Sequence, residues 1–346
     1  MNKSIKQNNT NVRYEAIDGL RAYSAIGVAM MHILMNGQYQ VSGFIFDKFI
    51  TSLGNLVFLF MLVSAFSMCC GYYNKIIKQE ISIEYFYSRR YSKILPFFAT
   101  LCFIDVIISP SKSAIYELFA NLTLSFGLLP NANISVIGIG WFLGLIFVFY
   151  MIFPFFCYLI SNKKRAWFIL GITIIYHVLC RIYFFDKNHV LFNYDRRGNI
   201  IYSAMFFIVG GIIFLYKEEL SKLAEKYKWI LIILCIAVGG MYFYEGNSET
   251  FIMLILFGLL LIYAIGNSDN RSVILQNHFT KFMGNISLEI YLSHMVIFRL
   301  LQKIGLTNIT SNAEISYVVT VLMTLVGAVV FSLMLKKIIE KVQSYR

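Results

Sequence analysis

Apolar residues fall along this chain in long runs separated by short polar breaks, not in the alternating or one-face patterns of a soluble domain. Runs of this kind suit helices that cross a hydrocarbon core, which takes about 20 residues rising 1.5 Å each. The pattern predicts ten spans, at 16–36, 52–73, 94–111, 137–160, 167–185, 200–216, 229–244, 250–266, 283–304 and 315–335. A further apolar stretch, 114–129, is amphipathic and stops at Pro130, so it is expected to lie at the surface or dip in without spanning. The polar break at Glu245–Glu249 is short enough to make the seventh and eighth spans antiparallel neighbours. No repeat, linker or low-complexity tract interrupts the series. The expectation is a single all-α, polytopic membrane domain over residues 1–346.

Composition strengthens that reading. Of 346 residues, 58% are hydrophobic, 17% aromatic and only 14% charged, unlike any soluble domain of this size. The net charge of +12 raises the question of nucleic acid, but its distribution answers it. With the first residues inside the cell, the inside segments collect Lys75, Lys78, Arg89, Arg90 and Lys93, then Lys163, Lys164 and Arg165, then Lys217 to Lys228, and finally Lys336 to Arg346. The outside segments hold only Lys48, Lys112, Lys187, Arg196 and Arg197. This is the orientation signal of a membrane protein. It predicts two cytoplasmic termini, with 1–15 as a leading segment and 336–346 as a tail, and it makes the bilayer the partner with no nucleic acid. Asp18 and Arg21 break the first run, which argues against a cleavable signal peptide. Cys69, Cys70, Cys102, Cys157, Cys180 and Cys235 lie within apolar runs without metal-ligand spacing, so they read as core residues and no metal is expected.

Charge inside an apolar span is costly, at least ~2.5 kcal/mol per residue at mid-bilayer, and marks candidate chemistry. Asp18, Arg21 and His32 share the first span. On a helix Asp18 can pair with Arg21, and His32 lies on the face of Arg21 about 16 Å farther along. Ala25, Val28 and Ala29 form a shallow strip between them. In the ninth span Ser287, Tyr291 and His294 make a polar stripe, with interhelical hydrogen bonding as the alternative reading. Tyr85–Pro96 is a basic loop in which Arg89 or Arg90 shares a face with Lys93; it suits phosphate groups, and plain positive-inside anchoring is the alternative. Asp105, His177 and Arg181 read as structural ion-pairing groups, and Arg299 and Lys303 as snorkelling cations. The loop Asp186–Arg197 is the most polar outside segment and could touch a hydrophilic acceptor.

Five ordered segments together resemble one family, the integral-membrane acyltransferase family 3. Asp-Gly-Leu-Arg with His32 resembles its Arg-x10-His signature. Phe58–Phe66 resembles its Phe-Phe-x-x-Ser-Gly-Phe segment, with Ala65 in place of glycine. Ser-Arg-Arg-Tyr-Ser-Lys-Ile-Leu-Pro resembles Arg-x-x-Arg-x-x-Pro, with Lys93 at the second basic position. Trp141 through Tyr150 and Pro154, and Gly284–His294, complete the set. Ile146 and Phe147 stand where many members carry a Glu, so no acid is assigned there, and no extracytoplasmic esterase-like domain is appended.

The resemblance implies an O-acyltransferase of the bacterial inner membrane, taking acetyl from cytoplasmic acetyl-CoA to a hydroxyl of an envelope glycan or its lipid-linked precursor, such as O-antigen or capsule. Arg89, Arg90, Lys93 and Arg21 would hold the donor. His32 would be the base or acyl carrier, with Asp18, His294 and Tyr291 supporting it. Ser64, Trp141, Tyr150 and Ser287 would meet the substrate. A polytopic transporter or flippase is the competing class, although the paired inverted halves common in transporters are not apparent.

Overall fold

In the computed structural model the described residues, 14–129, 138–190, 194–245, 250–266 and 272–344, are predominantly helical and contain no strand. The helices are α1 (Ala16–Asn36), α2 (Ile45–Ile77), α3 (Ile83–Ile108), α4 (Lys112–Leu122), α5 (Trp141–Leu159), α6 (Lys163–Phe184) and α7 (Ile200–Leu215). They continue as α8 (Lys217–Lys226), α9 (Lys228–Glu245), α10 (Thr250–Gly266), α11 (His278–Asn285), α12 (Ser287–Lys303) and α13 (Ala313–Ser344). Most of the predicted leading segment 1–15 and the 246–249 connection lie outside the described residues; α9 and α10 do pack on each other as expected.

Nine of the ten predicted spans each coincide with one helix, the ninth being divided between α11 and α12, and the helices differ in length and apolarity. Six of them (α2, α3, α5, α6, α9 and α13) are long and apolar enough to cross a membrane, with α7 a seventh if it is counted with α8, from which it bends by 80°. By contrast, α10 and α12 have only 17 residues each, and α1 carries Asp18, Arg21 and His32. Burial does not follow that division: α2 and α5, among the six, are largely buried, and α1 is interior as well. α1 packs against α2, α10, α11, α12 and α13, and buries most of its length, Asp18 included. α9 buries only Leu231 and Tyr242. An interior helix can keep polar groups because its neighbours, not lipid, satisfy them.

Local sequence explains the boundaries that differ from expectation. The basic segment is helix, not loop: α3 begins at Ile83 because Ser82 caps it, accepting the Tyr85 amide at 3.1 Å, and Glu84 suits the positive end of the dipole. The ninth span is broken. Asn277 and Thr280 form a capping box that starts α11, and α12 begins afresh after Ile286. The stretch 114–129 becomes α4, whose 11 residues reach only about 16 Å, followed by a single turn at Phe126–Leu128. α4 is therefore too short to span, as expected.

Two glycines let α1 meet α11 and the turn that precedes it backbone to backbone. A Cβ on Gly19 would collide with the Leu275 carbonyl, and one on Gly284 with the Asp18 carbonyl. The glycine of Asp-Gly-Leu-Arg thus has a packing reason, and the contact fixes the start of α12 against Asp18 and Arg21. Cys69, Cys102, Cys157 and Cys180 are buried and unbridged, as core residues should be; Cys70 and Cys235 are half-buried.

Candidate active site

A cavity of about 660 Å³ is lined mainly by the first halves of α1, α3, α5 and α12 and by the second halves of α2 and α13. Four cations line it, Arg21, Arg90, Lys93 and Lys336, together with two carboxylates, Asp18 and Glu289. The charges are unevenly matched. Arg21 bonds to Asp18 at 3.3 Å and to the Ser67 hydroxyl at 2.8 Å, and Lys336 bonds to Glu289 at 3.0 Å. Arg90 instead donates to the neutral Tyr72 hydroxyl, touches Met68 sulfur at 3.5 Å and lies over the rings of Tyr72 and Tyr150. Its Nε is buried with no partner among the described residues. A guanidinium on the cavity wall with no carboxylate bonded to it fits an anionic ligand.

Of the three expected basic residues, Arg90 and Lys93 line the cavity and Arg89 does not; Arg89 is exposed on the adjacent face of α3. Consecutive helical residues point about 100° apart, so only one of Arg89 and Arg90 can join Lys93. Ser64, Tyr150 and Ser287 also line the cavity. Tyr150 interacts with Ser64 and Arg90, while the Ser287 hydroxyl donates to the Gly284 carbonyl at 2.9 Å. Trp141 lies outside the cavity at the head of α5. Its ring sits 5.4 Å from the guanidinium of Arg197, which Asp195 grips through both carboxylate oxygens at 2.8–3.1 Å.

Three rings close the inner end. Phe60, Phe142 and Tyr291 all line the cavity and pack on one another, with centroids 5.8, 6.3 and 5.2 Å apart. The Tyr291 hydroxyl donates to the Ile139 carbonyl at 2.9 Å, which pins the ring. Tyr291 also packs against His294, centroids 5.9 Å apart.

His294 is buried and bonded to His32, Nε2 to Nδ1, at 2.9 Å. The rings are 5° from coplanar with centroids 5.2 Å apart, a distance made up by the bond and two ring radii, so they meet edge to edge rather than face to face. The network also sets the tautomers. The Ile290 carbonyl can only accept, so His294 Nδ1, 3.3 Å away, carries a proton. In neutral imidazole His294 Nε2 is then an acceptor, and His32 Nδ1 must donate to it. This leaves His32 Nε2 with a free lone pair, and no described group bonds to it. A histidine held by one nitrogen and basic at the other is the arrangement a general base needs.

The strip expected to join Arg21 to His32 is closed. Ala25, Val28 and Ala29 are completely buried in helix packing. Between the cavity and the histidine pair stand rings of α2, α5 and α12. Ser67, Tyr72, Glu289 and Lys336 are cavity residues that the sequence did not single out. Ser67 lies one turn from Ser64, a detectable signal; Lys336 reads alone as a topology charge, and Glu289 carries no signal by itself. Away from this region, Asp105 pairs with Arg299 at 3.2 Å, so Arg299 bridges α12 and α3 rather than only snorkelling. His177 is buried and its Nδ1 bonds to the Tyr202 carbonyl at 2.8 Å, a structural role.

No curated protein and no solved structure matches the chain significantly. A family model does, the acyltransferase domain of acyltransferase family 3, over residues 14–336, which takes in every residue of the cavity and of the histidine pair. The chain belongs to the membrane acyltransferases of family 3.

Proposed function

We propose that this protein is an O-acetyltransferase that takes acetyl from cytoplasmic acetyl-CoA to a hydroxyl of an envelope polysaccharide or its lipid-linked precursor. One observation carries the reading: a cation-lined cavity reaches Tyr291, whose ring packs against His294 of the His294–His32 pair. A site for a donor rich in phosphate and a base for a hydroxyl are thereby brought to one aromatic ring. The proposed topology has ten crossings with both termini in the cytoplasm. It is supported by the charged residues of the cavity, which lie in the first halves of α1, α3 and α12 and in the second half of α13, as alternating crossings require.

The CoA phosphates would bind Arg90 and Lys93, with Arg21 deeper and held by Asp18. The pantetheine arm would extend past Phe60, Phe142 and Tyr291 toward His32. His32 Nε2 takes the proton of the acceptor hydroxyl as its oxygen attacks the thioester carbonyl. The carbon–sulfur bond breaks, the thiolate leaves, and His32 returns the proton to sulfur. Through both steps His32 Nδ1 keeps its bond to His294, so the imidazolium forms without reorienting. His32 therefore serves as base, with His294 positioning it; Tyr291 shapes the passage, and Ser64, Tyr150 and Ser287 line the donor route. The acceptor would approach from the other side, past Trp141.

The test is transfer of radiolabel from acetyl-CoA to envelope glycan in vesicles carrying the protein, beside acetyl analysis of surface glycan from a deletion strain. Label in the glycan with the wild-type chain and none with His32→Ala is the expected result. Label-free movement of substrate across the vesicle, with no acetyl transfer, would mark a transporter and overturn the reading.

A further inference from the structure

The donor cavity contains an ion pair that the proposed mechanism does not use. Lys336, near the end of α13, and Glu289, in the first turn of α12, bond at 3.0 Å and both line the cavity. The Glu289 side chain is 15% exposed and that of Lys336 is 34% exposed, so the acid is the more deeply set partner. Glu289 also interacts electrostatically with Lys93, which in turn feels Arg90, Arg21 and Lys336. The carboxylate thus sits between two cations and has a second partner available if one is withdrawn.

We infer that Lys336 is a further donor-binding residue, held by Glu289 while the cavity is empty and transferred to a phosphate of the acyl donor when it fills. The inference rests on the acyl-CoA reading of this cavity. The four cations face only two carboxylates, whereas a CoA donor carries three phosphate groups. Arg90 and Lys93 have no carboxylate bonded to them and are ready for an anion, while Arg21 and Lys336 are already paired. Arg21 is paired within its own helix by a fixed three-residue spacing. Lys336 is paired across two helices, by a flexible side chain with three donors and a solvent-reaching tip, which is the more exchangeable arrangement. On exchange Glu289 keeps Lys93 as neighbour, so no carboxylate is stranded. Because Lys336 belongs to α13, the exchange also makes donor binding depend on the seating of that helix.

The competing account is a staple that merely joins α12 to α13. Equilibrium binding of radiolabelled acetyl-CoA to the purified full-length protein in detergent separates the two, with melting temperature measured in parallel. Lys336→Met is expected to weaken binding roughly tenfold, the loss of one charge-assisted contact, and Lys336→Arg to restore most of it. Glu289→Gln is expected to tighten binding several-fold, since it removes the internal competitor for Lys336. The double variant should behave like Lys336→Met. A staple predicts the reverse pattern: both single variants lower the melting temperature and neither tightens binding. Weaker binding in Glu289→Gln, or unchanged binding in Lys336→Met, overturns the inference while leaving the donor reading intact. Absence of acetyl-CoA binding by the wild-type protein overturns the donor reading, and the inference with it.

Discussion

At the start of α1, Arg21 bonds to Asp18 at 3.3 Å beside Arg90, Lys93 and the Lys336–Glu289 pair. Eleven residues later, His32 bonds to His294 at 2.9 Å and His294 to a backbone carbonyl, with no carboxylate bonded to either ring. One helix therefore has a charged end and an end built from neutral hydrogen bonds. The contrast follows from what each end must hold. A ligand recognised by its phosphates needs cations, and cations near a low-dielectric interior need either partners or an opening to water; the cavity mouth offers both. A base that takes a proton and returns it needs a free lone pair and a fixed ring, which a second neutral imidazole provides. The aromatic cluster of Phe60, Phe142 and Tyr291 keeps the two environments apart.

The comparison breaks first at His32. Replacement by Ala removes the only lone pair aimed at the acceptor in the proposed reaction, and kcat should fall by ~10³, the scale of general-base catalysis. Donor affinity and the gel-filtration profile should stay as in the wild type, because the charged end is untouched. Near wild-type turnover would dissolve the distinction between the two ends.

His294 sharpens the comparison. His294→Ala leaves His32 Nδ1–H without its acceptor and should cost kcat roughly tenfold to a hundredfold, the value of one strong hydrogen bond to a group that becomes charged. His294→Gln can present a carbonyl oxygen to the same proton and should recover part of that loss, whereas His294→Leu should not. Equal losses in all three would mean that His294 acts by shape and not by fixing the tautomer.

Much of this arrangement is visible in the sequence, and the missing parts share a cause. Helical spacing is local, so Asp18 with Arg21, the Arg21-to-His32 separation and the Arg90–Lys93 face can all be read from numbers alone. The His32–His294 bond joins residues separated by 262 positions, and no single-helix periodicity encodes it. The same holds for Lys336 and Glu289: each occupies the end of an apolar run, where a charge is ordinary, and only the packing of α12 on α13 turns them into a pair. The strip of Ala25, Val28 and Ala29 misled for a related reason. Small residues mark close approach, and here the approach is by other helices and not by a ligand. Among the spans, hydropathy identified the helices but not their burial: α2 and α5 are more apolar than α9 yet largely buried, and α1 and α12 keep polar groups because protein surrounds them.

At the charged end, Arg90→Ala should raise the donor KM roughly tenfold with little change in the acceptor KM, since the residue places a guanidinium with no bonded carboxylate on the cavity wall. Equal shifts in both KM values would assign Arg90 to general packing.

The smallest effect is the most discriminating for the geometry of this end. Arg89 and Arg90 are adjacent, identical in chemistry and equally eligible by sequence for a phosphate site. The structure separates them by the turn of α3: Arg90 lines the cavity under the rings of Tyr72 and Tyr150, and Arg89 is exposed outside it. Arg89→Ala should therefore alter donor KM by no more than about twofold, the range of an exposed substitution away from a site. Its deletion removes the same unit of charge from the same helical turn, so the pair of variants holds net charge constant and compares position alone. Raising the ionic strength should weaken donor binding in Arg89→Ala as it does in the wild type, because the cations that meet the phosphates are all still present. A donor KM that rises as far for Arg89→Ala as for Arg90→Ala would mean that the segment acts through its summed field at the membrane surface, and the cavity would lose its claim to be where the phosphates sit.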